Sequence, residues 1–389
     1  MDRHTFLDLL SPAGQRLLAD AETLDLAEGA RLRSLSRLRR YASPDLAAAA
    51  LETAILRQRA RVKFRHASRM YFTREALEQA TTETVARHRA TRFAGLDLVV
   101  DLGCGIGGDS LALASVTRVV GIDRDPVRLL MARENARAYH LAPQVDWVQA
   151  YVAGGGPVRA DAAFVDPVRR TQHGRRVFDP RSYEPPLDEV LSWRPCFRGM
   201  AVKVSPGIRD EDIADLPGEV EFVAQDGDLK EAVLWLGDLG ASGRRATVLP
   251  AGASLHTESD PPAPVAVAGS FLYEPSPAII RAHLIGTLAA MLGAWQIDPT
   301  IAYLSADDLR PTPFARAWQV EAVLPFGVDR VRRHLRALGV GRVTVKKRGS
   351  PLEPEAFARM LHLNGPEERT VVLTRQLSRP IALICAGPL

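Results

Sequence analysis

The sequence predicts an α/β chain built on a seven-stranded parallel sheet, with an all-helical N-terminal domain and a small C-terminal α/β domain. Three observations predict it. Short apolar runs alternate with helical segments from residue 98 to residue 236, a glycine-rich turn follows the first run, and no strand signal interrupts residues 1–68.

The N-terminal helices are marked by Ser11-Pro12 and Ser43-Pro44, each a capping residue before a proline suited to the first helical turn. Ten basic residues lie between Arg31 and Arg65, interleaved with leucines, and present either a basic face or a merely solvated one. Thr73 caps a helical stretch at 74–92. The strands then read 98–102, 118–123, 145–149, 161–166, 200–204, 220–224 and 232–236, with helices at 107–114 and 127–138 between the first of them. Such alternation implies right-handed crossovers and a ligand at the C-terminal strand ends. Prolines and glycines crowd 246–313 around one helix at 278–293, which reads as a connector. The last block alternates again: strand 318–323, helix 328–338, strand 342–346, helix 354–361, and strands at 371–373 and 381–384. The expected domains are therefore 1–68, 69–245, 246–313 and 314–389.

A chain of 389 residues exceeds one core of usual size, and 46% hydrophobic with 25% charged residues excludes a disordered or fibrous chain. No apolar stretch suffices to span a bilayer, and Met1-Asp2-Arg3-His4 does not open a signal peptide. A cytoplasmic protein without a membrane partner is expected. Cys104, Cys196 and Cys385 are odd in number and far apart, which suggests neither disulfides nor a zinc site, so no metal is expected. Only five of the 50 basic residues are lysine. Arginine suits bidentate phosphate contacts, although GC-rich coding would also write Arg for Lys.

The glycine-rich turn is Asp101-Leu102-Gly103-Cys104-Gly105-Ile106-Gly107-Gly108-Asp109. Gly103, Gly105 and Gly108 satisfy G-x-G-x-x-G, and Asp123 ends the next strand, where an acid accepts ribose hydroxyls. A dinucleotide would fit that much. Asp101 discriminates, because its carboxylate would oppose a pyrophosphate and favour a cation. S-adenosyl-L-methionine carries a cationic amino group and a sulfonium, and no phosphate.

This block, with Val120-Gly121-Ile122-Asp123-Arg124-Asp125-Pro126 and Ala132-Arg133-Glu134-Asn135-Ala136, resembles class I S-adenosylmethionine-dependent methyltransferases. Within them it is similar to trimethylguanosine synthase-like enzymes over about 70–240. Thr344-Val345-Lys346-Lys347-Arg348-Gly349 and Val371-Val372-Leu373-Thr374-Arg375 look like the THUMP-like domain that accompanies such enzymes. The resemblance implies a Rossmann-like sheet with the cofactor on Asp101, Gly103, Cys104, Gly105, Gly107, Asp109, Asp123, Arg124, Ala150 and Tyr151, and Phe72 and Thr73 as a lid. Beside those roles stand plainer ones: Asp109 and Asp125 as helix caps, Cys104 as a small filler, Phe72 as a core contact and Thr73 as a cap. Tyr151 stands where many relatives carry an acid for the adenine amino group.

The fourth strand ends in Asp166-Pro167-Val168-Arg169-Arg170. Amino-methylating relatives carry an acid or amide, two prolines and an aromatic there, so Asp166 and Pro167 match while Val168 and Arg169 depart. Asp166, Pro167 and Arg169 are the catalytic candidates, Asp166 as the acceptor of a proton; alternatively the motif only ends the strand. Arg170, Arg175 and Arg176 could clamp phosphate or be solvated, and His173 shows no metal-ligand spacing. From Val328 to Arg348 eight basic residues face the single acid Asp329, which suggests an RNA grip through Lys346, Lys347 and Arg348. The expected activity is methyl transfer to an RNA base. A small-molecule methyltransferase, or a cofactor-binding RNA-binding protein without transferase activity, remains open.

Overall fold

The computed structural model describes residues 1–152, 159–168, 179–214, 216 and 218–389, which form two compact units. The first comprises Met1–Gly218 and Val233–Ala241, and the second Glu219–Ala232 and Ser242–Leu389.

The first unit begins with helices α1 (Arg3–Leu10), α2 (Pro12–Glu22), α3 (Arg31–Leu38), α4 (Pro44–Ala60), α5 (Arg74–Gln79) and α6 (Glu83–Ala90). Ser11 Oγ accepts from the Gly14 amide at 3.1 Å and Ser43 Oγ from the Leu46 amide at 3.3 Å, so both serine-proline pairs act as N-caps. Phe6, Leu9, Leu18, Leu51 and Ile55 do not close a core of their own. They share one with Ile106 of the turn after the first strand and with Leu111, Met131 and Ala136 from the sheet's helices, α7 (Gly108–Ala114) and α8 (Pro126–Ala138).

Strand β1 (Leu98–Leu102) pairs in parallel with β2 (Arg118–Asp123), which pairs in parallel with β3 (Val145–Gln149). On its other side β1 pairs with β4 (Ala162–Val165), and β4 with β5 (Gly199–Val204), again in parallel. Helix α9 (Leu187–Ser192) precedes β5. The register sets Asp101 against Gly121 and Val165 against Val202, so Asp101, Asp123, Asp166 and Lys203 all lie at the C-terminal edge.

The sheet continues through β6 (Glu219–Gln225), β7 (Asp228–Gly237), β8 (Gly243–Leu249) and β9 (Ala253–Thr257), in the strand order β3-β2-β1-β4-β5-β7-β6-β8-β9. It has nine strands where the sequence predicts seven. Of the two additional strands β9 lies within the stretch read as a connector and β8 runs into it from Gly243, and Pro250 and Gly252 belong to the turn of their antiparallel hairpin. The sheet is also mixed: Asp226 and Gly227, with φ of 54° and 85°, form the two-residue turn that folds β7 back on β6.

The rest of the second unit holds β10 (Phe271–Pro275), α10 (Pro277–Arg281), α11 (Ile285–Leu292), β11 (Trp295–Asp298), β12 (Ile301–Ala306), β13 (Ala315–Pro325), α12 (Val328–Ala337), β14 (Val340–Lys347), α13 (Pro354–Leu361), β15 (Glu367–Gln376) and β16 (Arg379–Pro388). Its strand order is β11-β12-β10-β13-β16-β15-β14. Alternation along β15 sends Val371 and Leu373 against Val331, Leu335 and Phe357 of α12 and α13, while Val372 packs with Trp318 and Leu383. Among the described residues, no helix is long and apolar enough to cross a membrane, and no group of acid, His or Cys side chains could hold a metal.

Candidate active site

The turn after β1 is built around close approach. A Cβ at Gly121 would lie 2.5 Å from the Trp147 ring and 3.2 Å from Cys104 Sγ, so β2 needs a residue without a side chain beneath that indole. Gly103 and Gly105 take φ of 90° and 55°, and a Cβ on either would meet nothing within 4 Å. Their left-handed backbone therefore opens a cradle rather than relieving a clash. Gly107 is the N-cap of α7, with φ of 82°. Burial pushes the Cys104 thiol well up, which suits the small filler and not a nucleophile.

Asp123 is 7% exposed. Its Oδ2 accepts from the Gly105 amide at 2.8 Å and its Oδ1 from the Asp125 amide at 2.8 Å, which locks the cradle to the end of β2. Each carboxylate oxygen keeps a further lone pair for a ligand hydroxyl. Asp125 caps α8 as expected, accepting from the Val127 amide at 2.8 Å.

Asp101 is 2% exposed and accepts from Ser110 Oγ at 2.5 Å. Burial and the nearby Asp109 push its carboxyl up to about 8, aided by Asp166, against the Ser110 hydrogen bond and the Arg89 charge. Asp109 does not cap α7. It pairs with Arg89, a buried guanidinium of α6 that also stacks over the Phe164 ring at 4.5 Å.

At the end of β4, Asp166 Oδ2 receives Lys203 Nζ at 2.6 Å, and the same ammonium donates to Thr81 Oγ1 at 2.7 Å. The sequence reading missed Lys203 and Thr81. One signal was available, a lysine inside an apolar strand, where a charge is retained only with a partner. Pro167 is buried, and Val168 bridges to Glu184. Arg169, Arg170, His173, Arg175 and Arg176 lie outside the described residues.

Past β2 and β3, Arg124 stands 5.7 Å over the Tyr151 ring and pairs with Glu184 at 3.1 Å. Tyr151 is 74% exposed, and the Ala150 amide donates to the Asp123 carbonyl at 3.2 Å. Phe72 is buried against Phe64, their rings 5.7 Å apart, and Thr73 caps α5 through the Ala76 amide. Asn135 of α8 braces the turn after β1. Its amide bonds both backbone polar groups of Tyr71 and the Ile106 carbonyl, stapling the chain before Phe72 to the glycine turn.

In the second unit, Lys346 pairs with Glu274 at 2.6 Å and lies 4.9 Å over the Trp318 ring. Lys347 pairs with Glu353 at 2.6 Å, and Arg348 donates to the Ala302 carbonyl at 3.3 Å. On α12, by contrast, Arg330, Arg333 and Arg336 are exposed and have no carboxylate partner among the described residues.

The cradle, a ribose-ready carboxylate and the four acids Asp101, Asp109, Asp123 and Asp166 against Arg89 and Lys203 fit a ligand bearing hydroxyls and positive charge. Comparison with known proteins agrees. Two proteins from strains of Mycobacterium tuberculosis, each named an uncharacterized S-adenosylmethionine-dependent methyltransferase, are 40% identical over 86% of this chain and 96% of their own. The chain belongs to the S-adenosylmethionine-dependent methyltransferases. Family models match the RNA cap guanine-N2 methyltransferases at 96–172, a THUMP-like domain at 315–386 and a domain of unknown function (DUF8688) at 2–60. The crystal structure of a "putative methyltransferase" from Porphyromonas gingivalis covers 95% of this chain and 98% of its own, with a TM-score of 0.78 at 22% identity, and shares the fold. This methyltransferase therefore uses S-adenosylmethionine on a Rossmann-like sheet and carries a THUMP-like C-terminal domain.

Proposed function

We infer that this methyltransferase acts on a base of RNA, with Asp166 as the group that receives the acceptor's proton. The observation that carries the reading is the placement of the Asp166 carboxylate, fixed at the same strand edge as Asp101 and the cradle. S-adenosylmethionine supplies a methyl carbon that an acceptor lone pair takes as the carbon–sulfur bond breaks toward sulfur. The chain's own residues do the rest. Gly103 and Gly105 admit the donor to the backbone, Asp123 holds ribose hydroxyls, and Asp101 accepts a hydrogen bond from the donor's amino group. Asp166 aligns the acceptor nitrogen and takes its proton, so positioning replaces covalent catalysis.

The RNA target is supported by the two family matches, and by α12, whose exposed Arg330, Arg333 and Arg336 have no carboxylate partner among the described residues. In this reading residues 314–389 hold the RNA while 69–245 perform the transfer. Incubating labelled donor with total RNA from a strain lacking the protein tests it. Label should enter RNA, and nucleoside mass spectrometry should show one modified base that is missing from that strain. Label that enters only small molecules would sink the RNA assignment.

A further inference from the structure

Lys203 sits on a strand whose six residues are all buried, and its side chain is 5% exposed. An ammonium gives up strong hydration to stand there, and a buried ion pair is a poor source of stability. Three segments far apart in sequence converge on its nitrogen: β5 carries it, β4 ends in Asp166, and the loop between α5 and α6 supplies Thr81. We propose that Lys203 is the positioning residue for Asp166: its ammonium, anchored by Thr81, fixes one carboxylate oxygen and keeps the group ionised. The proposal rests on the reading of Asp166 as the proton acceptor.

The charges around Asp166 make the task specific. Asp101 on β1 acts on it directly, with Asp109 of α7 and Arg89 of α6 behind. An ionised Asp101 would favour a protonated Asp166, which can take no proton, and Lys203 opposes that from β5. Thr81 accepts one hydrogen of the ammonium and so orients the others, coupling the α5–α6 loop to the reaction edge.

The test is an NMR titration of the full chain carrying carbon-13 aspartate, with the Asp166 signal assigned through D166N. In K203M the Asp166 midpoint should rise by about 1 to 3 pH units, the range for loss of an adjacent opposite charge. K203R should return it close to the wild-type position, and the acidic limb of the methyl-transfer rate should move with it. An Asp166 midpoint unchanged in K203M overturns the proposal. Should K203M fail to fold, T81V carries the test with a smaller upward shift expected, and no shift there overturns it equally. The titration needs no acceptor, so a protein that methylates no RNA yet shows the shift refutes the RNA reading and leaves this one standing.

Discussion

The glycine turn and the basic C-terminal block are both short, chemically dense stretches, but the fold treats them in opposite ways. Between Asp101 and Asp109 neighbours in sequence remain neighbours in space, because a tight turn after β1 leaves the chain no room to separate them. Between Val328 and Arg348 the charges are dispersed. Strand alternation splits Lys346 from Lys347; Glu274 arrives from 72 residues away to neutralise the first, and Glu353, six residues on, neutralises the second. Charge density along a sequence is thus a poor guide to charge in space, whereas a motif compressed into one turn keeps its geometry.

That contrast can be broken at several points. The largest effect concerns salt: if four phosphates of single-stranded RNA are neutralised, affinity should fall about 1,000-fold per tenfold rise in salt. Replacing Arg330, Arg333 and Arg336 together with Gln should cut the logarithmic slope by about 2, measured by fluorescence anisotropy. A slope that survives would move the grip away from α12. Next in size, D101A should weaken S-adenosylmethionine binding roughly 100-fold by calorimetry, as loss of a hydrogen bond from the donor's charged amino group requires. Unchanged affinity would remove Asp101 from the cofactor site.

The third test uses pH. The Asp101 carboxyl is raised to about 8 in the folded chain, well above an unfolded aspartate. Below about pH 4 it is protonated in both states and contributes no difference. As pH climbs toward 8 the unfolded state alone ionises, so folding grows less favourable, by up to about 1.4 kcal/mol per pH unit. The thermal midpoint of the wild type should therefore fall relative to D101N between pH 5 and 8, and parallel curves would refute the buried neutral acid. The smallest effect is expected at Lys346, which the structure makes an internal partner. K346Q should cost about 1–2 kcal/mol in denaturant unfolding and leave the RNA salt slope unchanged.

Much of the site was legible because its signals are local. The spans of β1 and β2 and the Asp125 cap follow from apolar runs and from glycine, proline and capping chemistry within a few residues. The β8–β9 hairpin was not, since its turn residues look like those of a connector unless the flanking strands are recognised. The N-terminal helices were legible as helices, but not as sharers of a core with α7 and α8, because apolar faces do not name their partners.

By itself the sequence determined the glycine turn, the acid that ends β2 at Asp123, the Asp166-Pro167 strand end and the α/β class, all set by residue type at short range. Only the tertiary structure decided that Lys203 and Thr81 meet Asp166, that Arg89 answers Asp109, that Asn135 ties Tyr71 to the glycine turn, and that Lys346 and Lys347 are spent on internal acids. All but the Lys347–Glu353 pair join residues twenty or more positions apart. Hydrogen bonding and charge pairing act over a few ångströms, so they declare themselves only once the sheet register and the helix packing have brought the groups within reach.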